Sequence, residues 1–506
     1  MSNIKNIFSG VAWSLICNVT NAAYGFFSVP LLLTYFGKEK YGLIGIAISV
    51  NIYLKILDMG FSSGNVKFFS SYLVKNDYDG LRKLFQSSLL FYLVIAFVNA
   101  LVLVGLSLFS SQIFHLSATD DEIFKQLIYI LIITSFPVWG GNVMEQLLRS
   151  NDLVGWQQRI LLLTKVAQLV VLFLTIYLKL NIISFFALNT FCSVINIPFY
   201  ASRINKLNLG ISFLPKYYKQ AMAEVLPYCL SIFSFGIFQF SANYLRPVFL
   251  GIKLGLTSVS DYRVVEGIAN LILILGSSFV GVILPHATKV RELGDKASEM
   301  KIAMDGTRYI TIFLGLIVFG FTLSSKELII LYVGEKNAYL VPWLNLWVFS
   351  LLGLHNSALS SLVLVSNSLR TIIYMSAFST IFSLTLAWFL MDSFGMGGVI
   401  ISYTCYVVFQ VSYYYIYYYP TKLKYNSFKI FTESFLFPIA VIGFIGIAVK
   451  WIFSMQTISN IWLLIIVKES VFALIALVII YQFLFTKSDK QYIIAFVSKF
   501  LKKDLK

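Results

Sequence analysis

The sequence predicts an all-α polytopic membrane protein of about fourteen transmembrane helices, built as two parallel six-helix pseudo-repeat lobes with an extra C-terminal helix pair. Three observations predict it. The 506 residues are 58% hydrophobic and only 12% charged, with a mean hydropathy of +0.81, whereas soluble chains carry roughly 25% charged residues. Apolar stretches of about 20 residues, each long enough to cross roughly 30 Å of hydrocarbon, recur from one end to the other. Residue patterns also repeat at an offset of 216 positions.

The first span, Phe8 to Tyr35, is too long for the apolar region of a signal peptide and lacks a small-residue cleavage pattern, so it reads as a membrane anchor. Further spans follow at roughly 42–66, 84–109, 123–148, 159–179, 182–201, 221–246, 260–286, 308–332, 341–365, 371–391, 396–419, 431–452 and 461–486, with the few-residue error of such boundaries. The offset sets the lobes. Ile56-Leu57-x-x-Gly60-x-Ser62 returns as Ile272-Leu273-x-x-Gly276-x-Ser278, and Ser150-Asn151-x-Leu153 returns as Ser366-Asn367-x-Leu369. Pro30 and Gly37 return as Pro247 and Gly255, at offsets of 217 and 218. Six helices separate the copies, so both lobes keep one orientation, a parallel repeat that goes with transporters. The predicted parts are an N-lobe at 1–219, a C-lobe at 220–427, the extra pair at 428–486 and a basic amphipathic tail at 487–506.

The net charge of +16 does not point to nucleic acid. About 27 of the 39 Lys and Arg fall in the N-terminus, the loops of one side and the tail, which makes that side the cytoplasm of an inner membrane and both termini cytoplasmic. Cys17, Cys192, Cys229 and Cys405 lie inside spans without metal spacing and read as small core residues. Gly60-Phe-Ser62-Ser-Gly64 matches a nucleophile elbow but sits on a membrane helix, where the glycine spacing serves close packing better. No phosphate-binding loop, metal cluster or cofactor motif is present. The run Tyr413–Tyr419 reads as an interfacial aromatic belt, with sugar stacking as the alternative.

Polar residues inside apolar spans mark an interior or a water-filled cavity. Asn18 and Asn21 share one face of helix 1; Gln239, Asn243 and Arg246 share one face of helix 7, its repeat partner. Helix 2 adds Asn51, Lys55 and Asp58, and helix 8 adds Arg263, Glu266 and Asn270. Lys55–Asp58 and Arg263–Glu266 each have the i,i+3 spacing of a self-neutralising ion pair; the other reading is a cationic cavity tuned by acids. Arg246 has no acid one turn away on its helix and is the best single candidate for a ligand phosphate. Glu145, Glu224 and Glu433 read as interfacial, and His355 as a satisfied interior histidine.

The stretch Val29-Pro30-Leu-Leu-Leu-Thr-Tyr-Phe-Gly37-Lys-Glu-Lys-Tyr41-Gly42, followed by Leu57-Asp58-Met-Gly60-Phe61, resembles the helix 1–2 region of Wzx-type polysaccharide flippases. These belong to the multidrug/oligosaccharidyl-lipid/polysaccharide (MOP) exporter superfamily. Ile283-Leu284-Pro285-His286-x-x-Lys289, running on to Gly294-Asp295-Lys296, is similar to that superfamily's helix 8 end and following loop. The resemblance implies a MATE-like fold around a cationic cavity open alternately to either side. It implies a cargo of undecaprenyl-diphosphate-linked oligosaccharide for O-antigen or capsule, with contacts to membrane lipids and to partners such as a polymerase and a chain-length regulator. Lys55, Arg246 and Arg263 map onto the cationic cavity by location. Two rivals remain. A MATE-like drug or cation exchanger calls for an acidic cavity, and a membrane glycan polymerase calls for a sizeable outward loop.

Overall fold

The computed structural model describes residues 2–58, 60–292, 295–364, 370–454, 460–487 and 489–491. Most of the predicted amphipathic tail, and the repeat motif at Ser366–Leu369, lie outside them. Among the described residues there is no strand. The helices are α1 Ser2–Phe36, α2 Lys38–Leu54, α3 Phe61–Val74, α4 Tyr78–Leu108, α5 Ala118–Ser150, α6 Val154–Tyr177, α7 Ile182–Asn205, α8 Lys219–Tyr244, α9 Arg246–Leu254 and α10 Leu256–Glu292. They continue as α11 Lys296–Leu323, α12 Ser325–Val333, α13 Glu335–Ser360, α14 Arg370–Phe394, α15 Met396–Leu423, α16 Ser427–Ser454 and α17 Ile461–Leu484.

Among the described residues, twelve helices are long and apolar enough to cross a membrane, or thirteen when the bent pair Lys219–Ser234 and Gly236–Leu254 counts as one span. The 37-residue α10 covers the predicted eighth span, so each of the fourteen predicted spans has its helix. Predicted helices 2 and 7 are not single straight rods. Predicted helix 2 ends as α2 at Leu54, tightens into a 3₁₀ turn over Lys55–Asp58, and restarts as α3 after Gly60 at φ +75°. Predicted helix 7 bends by 50° around Ser234–Gly236 and runs on to Leu254.

Packing divides the chain into two compact units, Met1–Ile268 with Ile373–Tyr403, and Ala269–Ile372 with Thr404–Lys506. The repeat boundary at 219/220 falls inside the first unit. There, Phe61 and Phe69 of α3, Phe85 and Tyr92 of α4, Trp139 and Val143 of α5, Tyr200 of α7 and Cys229 of α8 build one buried cluster. The helix ends are capped locally: the Asp77 carboxylate accepts from Gly80 N at the start of α4, and Ser117 Oγ accepts from Asp120 N at the start of α5.

The second unit packs α11 against the added pair α16 and α17 through Ile312, Leu323, Ile442, Ile445, Phe472 and Ala476. The tyrosine run corrects the belt expectation. From Tyr414 to Leu423 the chain is π-helical, and Tyr415, Tyr418 and Tyr419 turn inward. Tyr419 OH donates to Asn356 Oδ1, and Tyr415 OH lies 3.1 Å from His355 Nε2. His355 also has its Nδ1 2.7 Å from Leu352 O and stacks 3.9 Å from the Phe435 ring, a satisfied interior histidine as expected.

Candidate functional site

The break in predicted helix 2 opens onto a cavity of about 510 Å³ in the first unit. Asn51 stands on the last turn of α2, Lys55 and Asp58 on the 3₁₀ turn, and Ser62 on the first turn of α3. Facing them, α5 contributes Thr134, Trp139, Asn142, Glu145 and Gln146. Thr164 and Lys165 of α6, with Thr190, Ser193 and Asn196 along α7, complete the polar lining. A 3₁₀ turn inside a membrane-spanning helix leaves backbone groups that only a polar, protein-lined space can satisfy. The break and the cavity therefore belong together.

Four charged side chains reach this space, and their partners decide its character. Neither acid is spent on a cavity lysine. Asp58 Oδ1 accepts from Tyr92 OH, and Asp58 Oδ2 accepts from Ser62 N at 3.2 Å. Glu145 is paired with Arg149 one turn along α5, at 2.5 Å. Among the described residues Lys55 has no hydrogen-bond or ion-pair partner. Lys165 donates to the neutral Gln168 Oε1 at 3.0 Å and lies 5.8 Å from the Tyr24 ring centre. Two ammonium groups are thus held open beside amides, hydroxyls and an indole, a surface that can take an anionic group flanked by sugar hydroxyls.

The other sequence candidates lie elsewhere. Arg263 and Glu266 do form the i,i+3 pair, and the same guanidinium donates to Ser49 Oγ and to Gly45 O at 3.1 Å. It thereby ties α10 to α2, alongside a Lys38–Asp261 ion pair at 2.9 Å. Arg246 is 1% exposed, donates to Ser383 Oγ at 2.8 Å and sits 5.0 Å from the Tyr403 ring centre, away from the cavity lining. Asn18 and Asn21 on α1, and Gln239 and Asn243 on α8, are exposed. Asn270 is exposed and belongs to the second unit.

Sequence reasoning missed Lys165, Asn142, Trp139, Gln146 and Tyr92, and it assigned Glu145 to the interface although it lines the cavity. Lys165 stands twelve residues into α6, deep in an apolar helix. The signal that could have found it is the pair Lys165 and Gln168 one turn apart within a membrane span.

No protein-family model and no curated protein matches the sequence. Solved structures do. The lipid II flippase MurJ in an inward closed conformation superimposes with a TM-score of 0.73 at 16% identity, over 94% of this chain and 99% of that one. An inward-facing multidrug resistance MATE family transporter of the MOP superfamily gives 0.58 at 15% identity, over 77% and 92%. A Vibrio cholerae MATE transporter gives 0.56 at 13% identity, over 84% and 98%. The fold is the one shared by MurJ and the MATE transporters.

Proposed function

We propose that this protein is a flippase that carries an undecaprenyl-diphosphate-linked oligosaccharide from the cytoplasmic to the periplasmic leaflet of a bacterial inner membrane, by alternating access and for a surface polysaccharide. The observation that carries the reading is the pattern of charges in the cavity. Among the described residues, Lys55 and Lys165 have no acid partner, while Asp58 and Glu145 are engaged by Tyr92, Ser62 and Arg149. A cation exchanger needs the reverse: free carboxylates and occupied bases. The cavity volume, about 510 Å³, falls in the range of about 300–1,000 Å³ typical of small-ligand sites. Carrying a diphosphate and its sugars through bare hydrocarbon would cost many kcal/mol. The exposed Asn18, Asn21, Gln239 and Asn243 on otherwise apolar helices fit a wet path for such a head group. The MurJ-like fold supports the same reading.

The test is deletion of the gene, following lipid-linked repeat units and surface polymer. Wild type, Lys55→Ala and Lys165→Ala are returned to the deletion strain. Repeat units should accumulate on the cytoplasmic leaflet, and the inserted lysine variants should restore polymer poorly. Normal surface glycan in the deletion strain would sink the reading in favour of a drug exchanger. Single units reaching the periplasm with only chain length lost would sink it in favour of a polymerase.

A further inference from the structure

Lys55 and Asp58 are three residues apart in a 3₁₀ turn, the geometry in which side chains at i and i+3 eclipse one another. They ought to pair. They do not, because Asp58 is captured from behind. Ser88 Oγ donates to Asn65 Oδ1 at 2.9 Å, and Asn65 Nδ2 donates to Gln146 Oε1 at 2.8 Å. Gln146 Nε2 donates to Tyr92 OH at 2.8 Å, and Tyr92 OH donates to Asp58. Every donor in this chain points toward the carboxylate, so each bond polarises the next in the sense that favours an anion at Asp58. Ser88, Asn65 and Tyr92 are fully buried and Gln146 nearly so, which keeps water from competing for these bonds. The backbone N–H of Ser62 holds the second oxygen.

We propose that Tyr92 and Gln146 are positioning residues that hold Asp58 off Lys55, leaving that lysine free for an anionic group of the cargo. The inference rests on the flippase reading and deepens it, because it says what keeps the anion subsite open in the absence of cargo. Without the Tyr92 hydroxyl, Asp58 loses its side-chain donor and is free to turn to Lys55, one 3₁₀ turn away. The carboxylate then competes with the ligand for the ammonium group.

The experiment measures binding of inorganic pyrophosphate to the full-length protein in lipid nanodiscs, with thermal melting to check folding. Tyr92→Phe should weaken binding about fivefold, roughly what a competing half-exposed ion pair can take from a ligand. Adding Asp58→Asn to Tyr92→Phe should restore it, because an amide cannot neutralise Lys55. A purely structural role for Tyr92 predicts no such rescue. If Tyr92→Phe binds like wild type, or stays weak with Asp58→Asn, the positioning role is overturned while the flippase reading stands. If wild type does not bind pyrophosphate, or Lys55→Ala costs nothing, the flippase reading itself fails and takes the inference with it.

Discussion

Gly60 and Gly64 both meet Cys229 of α8 as their nearest neighbour, but the two contacts differ in kind. A Cβ on Gly64 would lie 2.4 Å from Cys229 Sγ, a side-chain atom that can be removed. A Cβ on Gly60 would lie 2.7 Å from the Cys229 carbonyl oxygen, on a residue already at φ +75°. Overpacking of this kind costs about 1–3 kcal/mol. Gly64→Ala should therefore lower the melting temperature, and Cys229→Ala should recover most of the loss. Gly60→Ala should destabilise at least as much, and Cys229→Ala should not relieve it, since the obstacle is backbone and the left-handed φ disfavours a Cβ. Equal rescue of both variants would show that the two contacts are not the ones that matter. The packing role of these glycines was legible from their spacing. The chain break at Gly60 was not, because the apolar run continues through it and no proline marks the turn.

At the scale of elements, the added helix α17 carries charge into the bilayer and places it against the lobe. Lys468 Nζ pairs with Glu327 of α12 at 2.7 Å, with side chains 11% and 16% exposed. Beside it, Ser324 Oγ donates to Glu469. Such a pair contributes little net stability, because desolvation offsets most of the attraction, but removing one partner strands the other. Lys468→Met alone should destabilise by about 3 kcal/mol. Lys468→Met with Glu327→Leu should return close to wild type, as read from melting in detergent. Additive losses would mean that the pair is not coupled in the membrane. Neither residue stood out in the sequence, since 141 positions separate them and nothing local announces the partner. The spans themselves were legible from hydropathy alone. The 50° bend at Ser234–Gly236 and the inward turn of the tyrosines were not, for those depend on what packs alongside.

At the scale of the whole molecule, fold class followed from composition and span count, and the polar character of an interior followed from Asn51, Lys55 and Asp58. What the sequence could not show was which charges cancel. Arg263 meets Glu266 on its own helix, whereas Asp58 is drawn away from Lys55 by residues of α4 and α5. Lys165 joins Lys55 only when α6, packed on α1 and α7, faces the broken helix across the cavity. Two lysines facing one cavity should act as a unit. Lys55→Ala and Lys165→Ala should each weaken pyrophosphate binding, and the double variant should lose more than the sum, because in each single variant the remaining lysine can shift toward the anion. Their contribution is also electrostatic and open to solvent ions. Raising ionic strength from about 0.05 to about 0.5 M shortens the screening length to a few ångströms, so wild-type affinity should fall steeply while the double variant stays flat. A wild-type affinity indifferent to salt would mean that pyrophosphate is held by the amides and hydroxyls of the lining, and the two lysines would lose their assigned role.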